Sequence, residues 1–245
     1  MNWLTRAFPV RASRRAAALT AGCTAALAAT LCMPAHATIE TRSVADFDEI
    51  VFSVAGEVSV EQGSRESLSL DAEPAVLRKI TTEIRDRRLI IGVSPSSRIE
   101  TNQPIRMKIG VRQLRAFESR TSGAISIGPL RSDTLALVLA GGGSIRVDRL
   151  DNAANLKVQI TGAGDISVGG GKVTAQQLAI TGTGTYSAPK LASERAEVAI
   201  DGSGEVQLAA SATLAVRVDG IGNVRYHGDP AVTRSIRGIG SINKD

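Results

Sequence analysis

Apolar and polar side chains alternate in short runs along most of this chain. From Thr121 to Gly240 each run passes through a Gly-x-Gly step into a second alternation. The steps read RTSGAISI, AGGGSIRV, TGAGDISV, TGTGTYSA, DGSGEVQL, DGIGNVRY and RGIGSIN. The leading glycines are Gly141, Gly162, Gly182, Gly202, Gly220 and Gly238, with Thr121 in that place at the start, giving spacings of 20, 21, 20, 20, 18 and 18 residues. Self-similarity at such a period predicts a solenoid of stacked coils. In Leu156-Lys157-Val158-Gln159-Ile160 the apolar side chains fall on one face, as a half-buried strand requires. Gly162 and Gly164 then mark a corner, Ile166 and Val168 point inward again, and Gly169-Gly170-Gly171-Lys172 reads as the loop to the next coil. Leu135, Leu137 and Leu139, then Ala196, Val198 and Ile200, then Leu214, Val216 and Val218 occupy the same inward places, predicting parallel pairing around an aliphatic interior. Ala136 and Val138 are apolar at outward places, which predicts that another segment covers them.

The stretch from Ser43 to Val111 alternates without the glycine steps. Ile50/Phe52/Val54, Val58/Val60, Leu68/Leu70, Leu89/Ile91/Val93 and Ile105/Met107/Ile109 predict strands bounded by turn residues, with one helical turn after Pro74 and a strand over Ile80, Thr82 and Ile84. A Gly-x-Gly loop cradles phosphate when a helix N-terminus follows it. Here a strand follows each time, so the glycines read as corners, where tight backbone and close stacking favour a residue without Cβ.

Residues 1–37 carry four arginines and no acidic residue, then an Ala/Leu/Thr-rich run of about 18 residues, then Ala35-His36-Ala37. This pattern predicts a secretory signal peptide cut after Ala37 rather than a retained membrane anchor. Ser13-Arg14-Arg15 and Thr20-Ala21-Gly22-Cys23 are poor matches to twin-arginine and lipoprotein signals. Without the leader, 25 basic residues face 24 acidic ones, so the basic balance of the whole chain vanishes and with it a case for nucleic acid. Both cysteines, the tryptophan and one of two histidines leave as well, which removes disulfides, thiol nucleophiles and Cys/His zinc sites from residues 38–245. That remainder reads as one β-solenoid domain, long enough for a sizeable core.

The serial Ile/Val, Gly-x-Gly, polar-apolar pattern, the opening Val44-Ala45-Asp46-Phe47-Asp48-Glu49-Ile50 with Val58-Ser59-Val60-Glu61-Gln62-Gly63, and the closing Val224-Arg225-Tyr226-His227-Gly228-Asp229-Pro230 resemble the head GIN domain family, described as putative auto-transporter adhesins. The resemblance covers about residues 43–243. It implies an all-β fold, a right-handed parallel β-helix whose N-terminal portion continues the same stack, and no catalytic residues to carry over. Thr121, Tyr186, Ala188 and Arg234 depart from the repeat. Arg234 would point inward, which predicts a frayed or capping last coil.

Candidate chemistry is sparse. Asp201 and Asp219 precede successive corners, Glu205 and Asn223 follow them, and Arg217 lies two residues before Asp219. Carboxylates one coil apart beside an arginine are the groups a polysaccharide lyase or glycoside hydrolase needs. Equally, such residues commonly decorate a solvated ridge. Gly162-Ala163-Gly164-Asp165 partly echoes calcium-roll repeats, but the period is wrong and the Asp does not recur, so no metal is expected. His227 stands alone in a turn-like run, and five aromatic rings after the leader are few for a glycan or base-stacking cleft. No catalytic, cofactor or metal residue is assigned. The expected protein is a non-enzymatic, adhesin-like solenoid of the periplasm or cell surface, binding an envelope or extracellular protein or glycan or serving a structural role in the envelope, with the lyase or hydrolase as the rival. The chain carries no translocator barrel segment of its own.

Overall fold

The computed structural model describes residues 38–245; the expected signal peptide, residues 1–37 with Cys23, Cys32, Trp3 and His36, lies outside them. The coils stack as the alternation predicts, each giving one strand to each of two eleven-stranded sheets. In the first sheet Gly123–Ile127, Gly142–Val147, Ala163–Val168, Thr183–Ala188, Ser203–Ala209, Ile221–His227 and Ile239–Lys244 pair in parallel. In the second, Ala116–Ser119, Thr134–Leu139, Leu150–Ile160, Gly171–Ile180, Leu191–Ile200, Thr213–Val218 and Ala231–Ile236 do the same. Register is kept from coil to coil, so Ile125, Ile145, Ile166, Tyr186, Val206 and Val224 form one interior column, each at most 2% exposed. Burying an aliphatic side chain of this size contributes roughly 1.5–3 kcal/mol, which is why a one-residue slip is forbidden.

The coils hold more than the expected two strands. In Leu150–Ile160 the inward residues are Leu150, Ala153, Leu156, Val158 and Ile160, and the alternation breaks where Ala154 and Asn155 are both exposed. The chain bends there, giving a short third face, repeated where Leu150, Gly171 and Leu191 stand in register. What reads as a loop at Gly171-Lys172 is therefore the start of a strand. The next coil drops this face: of the strand Leu191–Ile200, Thr213–Val218 meets only Arg195–Ile200, and the chain cuts the corner through Ala210-Ser211-Ala212. The shorter path accounts for the change in spacing from 20 to 18.

The glycine column follows from close approach rather than from dihedral freedom. A Cβ on Gly162 would lie 2.0 Å from the Gly141 carbonyl oxygen, and one on Gly182 would lie 2.0 Å from that of Gly162. Of the leading glycines only Gly238 has left-handed backbone. Stacked corners touch backbone to backbone, and any side chain would hold them apart.

The N-terminal portion joins the same stack out of chain order. Glu49–Phe52 and Gly56–Gln62 lie directly against Ala116–Ser119 and Gly123–Ile127, while Arg88–Val93 and Arg106–Val111 form a further parallel coil beyond them. That outer coil is closed by antiparallel strands, Ser67–Ala72 and Thr38–Arg42 on one sheet and Ile80–Arg85 on the other. The helical turn Pro74–Leu77 buries Val76 and Leu77 against it. Ile80–Arg85 and Arg88–Val93 form a two-residue hairpin, the other antiparallel pairs are joined by longer segments, and such strands shield the interior at this end. Arg42, 19% exposed, clamps the closure: its guanidinium donates to the carbonyls of Leu77 (2.9 Å) and Ile80 (2.8 Å) and to Thr82 Oγ1 (2.7 Å).

At the opposite end Ala231–Ile236 keeps full register with Thr213–Val218, so Arg234 stands above Val216 in an intact strand, not a frayed one. Its residues are exposed because no described coil lies over them. Nor does another layer cover Ala136 and Val138, since every described strand belongs to the two sheets; both are half-buried among register neighbours that include Glu118, Lys157 and Gln159.

Candidate functional site

Parallel stacking brings together the corner residues that the spacing places one coil apart. Arg217 Nη2 lies 3.3 Å from Asp201 Oδ1, and the same guanidinium hydrogen-bonds Asp219 Oδ2. Its pKa is raised from the ordinary arginine value, first by the hydrogen bond to Asp219 and then by the negative charges of Asp219 and Asp201. The carboxylates stand on the outer surface of the corner, 43% and 20% exposed, tied through one arginine. Glu205 pairs instead with Arg225, its register neighbour Asn223 accepts from Ser241 Oγ at 3.1 Å, and neither meets Asp201 or Asp219 in a hydrogen bond. The arrangement is a surface ladder of ion pairs.

His227 does not sit in a turn. It ends the strand Ile221–His227, opposite Ala209, half-exposed, with Nδ1 3.7 Å from Asp245 Oδ2, beyond hydrogen-bond reach. Among the described residues no three His, Cys, Asp or Glu side chains converge as metal ligands would. Four of the five rings are buried: Phe47, Phe52, Phe117 and Tyr186; Tyr226 is half-buried.

The broad feature is the outer face of the first sheet. Ser59, Ser126, Arg146, Ser167, Ser187, Gln207 and Arg225 lie in one row in register, at the strand spacing of about 4.8 Å. Near one end a trough of about 380 Å³ has Ser59, Ala124, Ser126 and Ser144 as its floor, between Lys108 and Arg106, the latter paired with Glu57 at 3.1 Å, on one flank and Arg146 on the other. Short side chains make the floor because outward residues alternate strictly with buried ones and carry no packing load.

One polar cluster escapes sequence reasoning. Gln176 and Ser193, 3% and 5% exposed, occupy inward positions beside Tyr186. Tyr186 Oη donates to Gln176 Oε1 at 2.9 Å, Gln176 Nε2 donates to Ser193 Oγ (2.9 Å) and to the Ala209 carbonyl (3.0 Å), and Ser193 Oγ donates to that carbonyl at 2.6 Å. Burial raises the Tyr186 phenol well above its usual pKa. The cluster sits where the coil cuts its corner, so the Ala209 carbonyl takes side-chain donors from Gln176 and Ser193. The signal in the sequence is Gln176, a polar residue in phase with Leu178 and Ile180, within one coil of a tyrosine that replaces an aliphatic.

The family model described as "Putative auto-transporter adhesin, head GIN domain" matches residues 46–230. No curated protein matches the chain significantly. A crystal structure of a putative adhesin from Bacteroides fragilis aligns with TM-score 0.79 at 21% identity, covering 85% of this chain and 97% of that one. A putative adhesin from Parabacteroides merdae aligns with TM-score 0.66 at 21% identity over 86% and 96% of the two chains. A protein from Parabacteroides distasonis named a putative lipid binding protein gives TM-score 0.67 at 23% identity over 86% and 97%. At these identities the likeness is one of fold.

Proposed function

The chain belongs to the head GIN domain family, and on that premise we propose that it is an exported, non-enzymatic, adhesin-like protein of the bacterial cell envelope. The outer face of the first sheet is its binding surface. The observation that carries this reading is the face itself: eleven paired strands present polar side chains in register, most of them short, with a trough beside Lys108 and Arg146, over about 48 Å at the usual strand spacing. A flat face that needs no folding on contact suits an extended protein or glycan. The basic, Ala-rich start of the sequence supports export, and the names of the similar structures support adhesion. Among the described residues no helix is long and apolar enough to cross a membrane.

Two measurements test the reading. Fractionation should recover a processed chain of the mass that begins at Thr38 in the periplasm or at the surface. Purified protein should leave uronic acid polymers and aryl glycosides unchanged. Release of unsaturated uronate by the wild-type chain, abolished by Asp219→Ala, would overturn the non-enzymatic reading in favour of a lyase.

A further inference from the structure

A second concavity, separate from the sheet face, lies where the first coils bend. Here Arg112-Gln113-Leu114 stands in place of the regular third face of the later coils, and in the next coil that face is only the two residues Leu130-Arg131, paired with Leu150-Asp151, before the chain leaves it through Ser132-Asp133. The irregular path leaves a cavity of about 610 Å³ whose walls include Arg87, Arg115, Arg131, Asp48 and Asp133. Its volume is in the range of sites for small molecules.

Three guanidiniums meet two carboxylates in this cavity, an excess of one positive charge. Asp48 is only 6% exposed at its side chain and faces the arginines: Arg87 Nη2 and Nε reach its Oδ2 at 3.0 and 3.2 Å, and Arg115 Nη1 stands 3.9 Å away. The buried carboxylate thus holds the Arg87 guanidinium by hydrogen bonds and draws that of Arg115 only by charge, while the two side chains remain 62% and 63% exposed. Arg131 has no carboxylate within 4.0 Å among the described residues; its backbone is pinned by Gln62, which donates to the Arg131 carbonyl and accepts from its N–H. Asp133 is the opposing charge, and the face keeps its cationic excess in spite of it.

The turn that delivers Arg87 strengthens the case. Ile80–Arg85 and Arg88–Val93 form a hairpin closed by the Arg85–Arg88 pair, so its loop is Asp86-Arg87, with φ of 50° and 62°. Left-handed backbone at both loop positions is the turn in which glycine is favoured second. An arginine held in that conformation is strained, and strain of this kind is kept where the surroundings require the side chain. Asn152, which also lines the cavity, has φ 61°. Gln113, Thr134 and Asn152 line the same cavity and supply neutral hydrogen-bonding groups.

We propose that this cavity is a binding site for a small sugar carrying an oxyanion, a carboxylate or a phosphate, held by Arg87, Arg115 and Arg131, with its hydroxyls met by Gln113, Thr134 and Asn152. Guanidinium forks match both oxyanions in a bidentate manner, and the absence of exposed rings at the site leaves charge and hydrogen bonding as the means of recognition.

Calorimetric titration with glucuronate, glucose 6-phosphate, inorganic phosphate and glucose tests it. One or both sugar acids should bind, glucose should not, and Arg115→Ala and Arg131→Ala should each weaken binding about tenfold. Arg217→Ala, on the distant corner, should leave it unchanged. Melting curves of the variants establish that they are folded; Arg131→Lys, which keeps the charge but not the fork, should fall between wild type and alanine. Failure of both sugar acids to bind at millimolar concentration, or equal binding by the folded alanine variants, would overturn the proposal. So would inorganic phosphate binding alone, or co-sedimentation with phosphatidylglycerol vesicles while the soluble sugars do not bind.

Discussion

Tyr186→Phe removes one oxygen from the interior and leaves Gln176 Oε1 without the donor that lies 2.9 Å away. Both residues are at most 3% exposed, so water cannot take the place of the phenol without opening the stack. An orphaned buried acceptor costs about 1–3 kcal/mol. Gln176→Met does comparable harm from the other side, stranding the Tyr186 hydroxyl. The double variant leaves neither group stranded, and Ser193 still donates to the Ala209 carbonyl, so its cost should fall short of the sum by about 1–2 kcal/mol. Urea unfolding of the four proteins gives this coupling directly, provided the m-values agree. In thermal unfolding about 2 kcal/mol corresponds to roughly 4–8 °C for a chain of this size. Additive costs, within about 0.4 kcal/mol, would refute the partnership.

The same tyrosine has a signature in pH. Its folded-state pKa is raised by burial, while in the unfolded chain the phenol titrates near its usual value of about 10. Above that pH the unfolded state has lost the proton and the folded state has kept it, so stability must fall as pH rises. This one group contributes a slope of up to about 1.4 kcal/mol per pH unit. Below pH about 9 its contribution is fully present and flat. Subtracting the Tyr186→Phe profile from that of wild type isolates it; parallel profiles above pH 10 would show that the phenol is not buried as described.

Other expectations follow from the fold. Gly162→Ala should cost about 3 kcal/mol, because its Cβ would press on the Gly141 backbone, whereas Gly63→Ala, with nothing within 4 Å, should be near neutral in the same urea series. Arg42→Met should cost about 2 kcal/mol and hasten amide exchange first in Thr38–Arg42 and Ile80–Arg85, since two carbonyls lose their donor. Asp219→Ala, at an exposed ion pair, should leave the melting temperature unchanged within error.

The parallel stack was legible because its period is written twice, in alternation and in the glycine steps. Positions such as Leu137, Ile166 and Val198 could be placed inside from spacing alone, and the structure has them there. The third face was not legible. Its inward residues Ala153, Leu191 and Ser193 stand out of phase with the strand that follows, and a bend inside a strand leaves no glycine or proline behind. The order of the first coils was equally hidden, since nothing local tells Glu49–Phe52 that residues 63–111 will fold around its far side. The Asp201, Arg217, Asp219 grouping was foreseeable from register. The cavity at Arg87, Arg115 and Arg131 was not, because its walls come from irregular segments far apart in the chain.

The bare glycine corners also bear on how such a molecule can change length. Every winding from Gly141 to Gly202 meets its neighbours through an equivalent set of contacts, so excising residues 162–181 would set Gly182 on Gly141 with the strand register intact. Insertions and losses are then tolerated in whole windings and penalised in fractions of one, and reach varies in increments of a single strand width.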